Sequence, residues 1–136
     1  MIYSLPGISK IGWINASLLP PAISMSKIAY IDVAIFNNVN WILLADGATC
    51  TLKSYVEKGQ RINEAELSFR SAEHLPIEDI AFVIIDANDK KWLIGFKECP
   101  RPVITAEKNL GKKGSESSVI EYKVTHKAIR TLIQIL

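Results

Sequence analysis

Ile80-Ala81-Phe82-Val83-Ile84-Ile85, then Asp86-Ala87-Asn88-Asp89-Lys90, then Lys91-Trp92-Leu93-Ile94-Gly95-Phe96-Lys97, is the stretch on which the fold turns. Its first six residues are apolar without interruption, rich in branched side chains, and end at Asp86. A buried helix would need more length, whereas a strand covered on both faces fits this pattern. The next five residues bond readily to the local backbone or tolerate a left-handed conformation, so they predict a hairpin turn. Beyond the turn, Trp92, Ile94 and Phe96 recur at every second position, which puts them on one face of the returning strand.

The same period of two extends outward from this hairpin. In Ser118 to Thr125, Ile120, Tyr122 and Val124 point one way and Glu121, Lys123 and Thr125 the other. Asn63 to Arg70 sets Ala65, Leu67 and Phe69 against Glu64, Glu66, Ser68 and Arg70. Asp46-Gly47 is a turn leading into a strand over Thr49 to Val56, and Lys58-Gly59 ends that strand. Pro20-Pro21, Pro76, Pro100 and Pro102 mark bends or edge positions, because proline cannot donate to a sheet ladder.

Two segments admit a second reading. Residues 61–75 carry Ile62, Ala65, Phe69 and Ala72 at helix-like spacing, and 127–136 suits an amphipathic helix as well as a last strand. Strand is the favoured reading of both. A short helical turn is expected near Pro20 to Ser26, since proline fits a first helical turn. Eight or more short strands at this spacing predict a mainly β chain: a small antiparallel β-sandwich or β-barrel with at most one or two short helices. Residues 1–136 make one β-rich domain, with 109–117, low in hydrophobicity and holding two glycines, as a flexible loop projecting from it.

Composition narrows the function classes. Apolar residues form 49% of the 136 and charged residues 22%, which is ordinary for a globular domain with a real core. The formal charge of +2 is too balanced for direct nucleic-acid readout, which calls for a concentrated basic face. No apolar run reaches the roughly 20 residues of a membrane-spanning helix. The opening Met1-Ile2-Tyr3-Ser4-Leu5-Pro6-Gly7 lacks the basic start of a secretory signal, so the expected location is the cytoplasm on synthesis. A disulfide between Cys50 and Cys99 is not expected in that reducing compartment.

Candidate chemistry is sparse. Cys50, His74, Cys99 and His126 match a zinc tetrahedron in type and number, but each stands more than twenty residues from the next. Structural zinc sites draw their ligands in close pairs, so the expectation is two buried thiols and two surface or loop histidines. A Cys–His nucleophile would need Cys99 beside His74 or His126, and nothing in the pattern brings them together. Asp86-Ala87-Asn88-Asp89 opens like a calcium loop, yet Lys91 stands where the glycine belongs and Lys97 where the glutamate belongs. Carboxylates at Glu64, Glu66, Glu73, Asp79 and Asp86 read as a solvated face. No catalytic, cofactor or metal residues are therefore assigned. Gly111-Lys112-Lys113-Gly114 is not a phosphate-binding loop of the Walker type; it is kept as a candidate partner-contact loop. Trp13, Trp41 and Trp92 read as core or interface anchors, Trp41 least securely core.

Four segments follow one another through the middle of the chain. Glu66-Leu67-Ser68-Phe69-Arg70-Ser71 leads into Leu75-Pro76, and Ile80-Ala81-Phe82-Val83 comes next. Asp86 to Gly95 follows, and Lys97-Glu98-Cys99-Pro100-Arg101-Pro102-Val103 closes the succession. Over about the middle half of the chain this succession resembles small β-rich proteins of prophages of gut bacteria, from the head–tail joining (neck) and tail region. The resemblance implies a non-enzymatic structural part of a virion, such as a neck, tail-completion or tail protein. Its partners would be other virion proteins and itself, in a homo-oligomeric ring or tube, with no cofactor and no membrane. The competing expectation is a monomeric β-barrel or sandwich that binds a small ligand or peptide in a pocket near Trp41 or Tyr55.

Overall fold

The computed structural model describes residues 2–4, 7–19, 28–29, 37–44, 48–76, 78–97, 102–109, 119–128 and 131–135. Eleven strands run through them: β1 (Ile2–Ser4), β2 (Ile8–Asn15), β3 (Ile28–Ala29), β4 (Asn40–Trp41), β5 (Thr49–Glu57), β6 (Gln60–Ser71), β7 (Ile80–Asp86), β8 (Lys91–Ile94), β9 (Val103–Asn109), β10 (Val119–Ala128) and β11 (Ile133–Ile135). One 3-10 turn, Ala16–Leu18, follows β2 and is capped by the Asn15 side chain. The chain is mainly β, as its alternating pattern predicts.

The strands form two sheets, in the orders β1-β5-β6-β10-β9 and β3-β11-β8-β7-β2-β4, packed as a small sandwich. Pairing is antiparallel except that β3 runs parallel to β11. The β5–β6 hairpin closes through Lys58 and Gly59, both with positive φ (52° and 77°), which the tight two-residue turn requires. The β7–β8 hairpin uses three residues, with Asp89 left-handed at φ 61° and the Asp86 N–H returning to the Lys90 carbonyl at 3.0 Å.

Between the sheets lies the main core. Ala65, Leu67 and Phe69 of β6 and Ile120, Tyr122 and Val124 of β10 face Ile80, Phe82 and Ile84 of β7. Phe69 stacks on Tyr122 at 5.1 Å between ring centroids and meets Phe82 of the other sheet at 6.1 Å, tilted by 60°. Such aromatic pairs add about 0.5–1.5 kcal/mol beyond the area they bury. The Tyr122 hydroxyl donates to the Glu73 carbonyl at 2.8 Å and accepts from the Leu75 N–H at 3.1 Å, so the same ring fixes the chain leaving β6.

In the second sheet, β7 is buried on both faces. Ala81 and Val83, on the far side of β7, join Ile14, Leu19, Val39, Leu93 and Ile133 in a second cluster. This explains the uninterrupted apolar run of β7: a strand with no solvent face has no reason to alternate. The first sheet differs, with a polar outer face on which Lys123 meets Glu66 at 2.9 Å and Lys127 meets Glu64 at 3.5 Å.

Neither ambiguous segment is helical in its described residues: 61–71, 127–128 and 133–135 are strand. In 61–75 the pairing of β6 with β5 and β10 wins, and Ala72, which a helix would have buried, is exposed. The end of the chain crosses between sheets: β10 stops at Ala128, Leu132 adopts φ 55°, and β11 joins β8. One expectation fails at Phe96. The strand ends at Ile94, Gly95 turns the chain at φ 118°, and Phe96 enters the second cluster instead of sharing a face with Trp92 and Ile94. Period-two reasoning holds only while the backbone stays extended. The turn expected near Pro20 to Ser26, the Asp46-Gly47 turn and the loop 110–117 lie outside the described residues.

Candidate interaction surface

Among the described residues, the Cys50, His74 and His126 side chains do not gather into one site. Cys50 points inward from β5 as a free thiol, and burial pushes its pKa up to about 12, the reverse of what a nucleophile needs. His74 is exposed in the chain leaving β6. His126 is fully buried on β10, which corrects the expectation of a surface or loop histidine. Its even position in an alternating strand carries it inward with Tyr122 and Val124. Its Nδ1 meets the Thr131 hydroxyl, and its ring sits edge-on to Phe96 at 4.8 Å. Cys99 lies outside the described residues, as do Gly111, Lys112, Lys113 and Gly114.

The carboxylates divide by surroundings. Glu64 and Glu66 face solvent beside lysines, and Glu66 holds the Lys123 ammonium above its usual pKa. Glu73 and Asp79 are exposed. Asp86 is 1% exposed, and its oxygens accept from Asn88 N–H (2.8 Å), Lys90 N–H (3.0 Å) and the Trp92 indole N–H (3.0 Å). Burial raises its pKa, but the bonds from Trp92, Lys90 and Asn88 together with the Lys90 charge outweigh it and hold the carboxyl below its ordinary value. The Asp86 turn is thus a self-capped hairpin whose lead carboxylate is committed to the fold. Among the described residues no three His, Cys, Asp or Glu side chains gather as a metal site would require.

What the fold does present is an apolar edge. Gly12 of β2 lies opposite Trp41 of β4, and a Cβ at Gly12 would collide with Val39 Cγ1 and come within 2.9 Å of Trp41 Cε3. Only glycine lets this segment lie so close, and that close approach fixes the indole over the sheet. Lys10 places its ammonium 5.6 Å from the centre of the Trp41 ring. The backbone beyond is held at both ends. Ile42 N–H donates to the Ile11 carbonyl at 2.9 Å, Ser71 Oγ donates to the Leu43 carbonyl at 2.8 Å, and Leu44 bridges Ser71. With Ile42 buried between them, Trp41 and Leu43 project outward, 40% and 77% exposed.

Leu18, Val56 and Val103 are also exposed, but singly, as scattered apolar residues on any surface are. Trp41 and Leu43 differ because they are adjacent on one side of a pinned segment. A rigid aromatic beside an aliphatic, near a cation, is the composition of an interface anchor. A ligand stacking flat on the indole would compete with Lys10 for the ring.

Sequence reasoning singled out Trp41 but not Leu43 or Gly12. The run Trp41-Ile42-Leu43-Leu44 reads as uniformly apolar, and only the position of β4 at the sheet edge tells which of the four face outward. Comparison of the chain with protein-family models, with curated proteins and with solved structures finds no match.

Proposed function

We propose that this chain is a non-enzymatic assembly protein, a phage or prophage virion component of the neck, tail-completion or tail kind, that works through protein–protein interfaces. The observation that carries the reading is the Trp41–Leu43 pair: apolar, exposed, and held in place before any partner arrives. An anchor that is already ordered loses little conformational entropy on docking, so more of its burial becomes affinity. The resemblance of the middle of the chain to neck and tail proteins supplies the biological setting.

Light scattering after size exclusion, with negative-stain microscopy, tests the assembly. Rings or tubes are expected, and Leu43→Asp is expected to shorten or dissolve them without changing the far-ultraviolet circular dichroism. Mass spectrometry of particles purified after prophage induction tests the setting, with the chain expected as a stoichiometric component. A strict monomer that is also absent from purified particles would overturn the reading.

A further inference from the structure

Among the described residues the four sheet edges are unequal. β1 has three residues, and β3 and β4 have two each, short enough to offer little to a passing strand. β9 has seven, pairs only with β10 among the described strands, and contains no proline, since Pro102 stops just short of it. Val103, Thr105, Ala106 and Glu107 are all exposed, and Ile104 is only partly covered. Proteins keep edges short, charged or covered because unpaired N–H and C=O groups recruit other strands. An edge this long, with its charged residues only in the second half and no second strand beside it among the described residues, is suited to pairing.

From this we infer that β9 is a self-association strand: it pairs antiparallel with β9 of a second copy about a two-fold axis through Thr105, continuing the five-stranded sheet across the seam. The inference rests on the assembly reading and names one of its contacts.

Side-chain polarity selects the register. On β9, Ile104 and Ala106 stand opposite Val124 and Tyr122 of β10, on the core side, whereas Thr105 and Glu107 stand opposite Lys123 and Glu121 on the solvated side. On the core side, a two-fold axis at Thr105 sets Ile104 against Ala106 of the second copy, twice, and carries the apolar layer across the junction; on the solvated side it sets Val103 against Glu107. It also sets Thr105 against Thr105, a favourable cross-strand pair. An axis at Ala106 would instead bring Ile104 opposite Lys108. An axis at Glu107 would bring two carboxylates opposite each other, next to the Glu107–Glu121 pair that each copy already holds. A two-fold contact uses the same patch on both copies and closes after two.

Because residue 105 faces itself across this axis, charge reversal gives a register-specific test. Thr105→Lys and Thr105→Glu sit on an exposed edge and should leave the far-ultraviolet circular dichroism unchanged, while the thermal midpoint loses only its dependence on protein concentration. Light scattering is expected to give wild-type assemblies built from pairs, loss of the paired unit for each variant alone, and its recovery when the two variants are mixed in equal amounts. If the wild type assembles but both variants keep its mass, or the mixture fails to recover pairs, the β9 contact is wrong while the assembly reading stands. If the wild type is monomeric at every concentration, self-assembly and the β9 contact fall together.

Discussion

Asp86→Asn tests whether the β7–β8 turn is held by the charge of one carboxylate or only by its shape. The single acceptor oxygen of asparagine can still take the Asn88 and Lys90 N–H groups. Its amide nitrogen then faces the Trp92 indole N–H, so two donors meet where a charge-assisted bond stood at 3.0 Å. Losing a bond to a charged group costs about 1.5–3 kcal/mol, and an enclosed donor without an acceptor costs a comparable amount. Partial access of water to the exposed turn brings the expected loss down to about 2 kcal/mol. For a chain of this length that corresponds to a fall of roughly 8 °C in thermal midpoint.

Urea unfolding followed by circular dichroism measures the loss. Trp92→Phe and the double variant complete a cycle: with the indole N–H gone, asparagine no longer opposes a donor, so the two losses should fall short of additivity by about 1 kcal/mol or more. The pH dependence adds a sign. Since the folded carboxyl is held below its unfolded value, its stabilisation is present above pH ~4 and fades as pH falls through the folded pKa. Wild type and Asp86→Asn should therefore converge in acid. A loss within about 0.5 kcal/mol of zero, on the scale of an ordinary surface substitution, or a strictly additive cycle, would refute the argument.

Gly95→Ala should destabilise by about 3 kcal/mol in the same assay, because φ is 118° and a Cβ would lie 2.8 Å from that of Ala81. Tyr122→Phe should cost about 1–2 kcal/mol and speed amide exchange at Leu75, whose N–H loses its acceptor. In a Cys99→Ser background, Cys50 should resist alkylation at pH ~8 until urea unfolds the chain, which peptide mapping by mass spectrometry reads directly. The raised thiol pKa also means stability falls as pH rises above the unfolded value of roughly 8.5 and goes on falling towards about 12.

How much of this was legible in the sequence follows from what each signal encodes. Alternation in 63–70 and 118–125 reports directly on a sheet with one wet face, and their described residues pair within β6 and β10 with Ala65, Leu67, Phe69, Ile120, Tyr122 and Val124 inward as expected. The β7 run reports burial on two faces, and Lys58-Gly59 reports a turn that only positive φ can make. These are local properties. The Phe96 expectation broke because Gly95 changes the backbone, and a pattern of side chains does not register a change of direction. His126 escaped because a histidine two places beyond Val124 was judged by its type, although the alternation that contains it already pointed inward.

The surfaces were the least legible part, for a physical reason. Whether an apolar residue serves the core or a partner depends on where its strand stands in the sheet, and strand order is set by contacts distant in sequence. Val124 and Ile104 stand opposite each other on the core side, yet β10 lies inside the five-stranded sheet and β9 at its edge, so one is fully buried and the other only partly covered. Trp92 and Trp41 repeat the contrast, one bonded to Asp86 and packed on the core, the other at the β4 edge. On the assembly reading proposed above, the residues that matter are those that strand order leaves at the rim. They belong to different sheets in this chain: β9 offers backbone and Trp41–Leu43 offers apolar side chains. A contact through β9 alone stops at two copies. Growth into a ring or tube therefore needs the second patch, so Leu43→Asp should reduce large assemblies to pairs, whereas Thr105→Lys should break the pairs themselves.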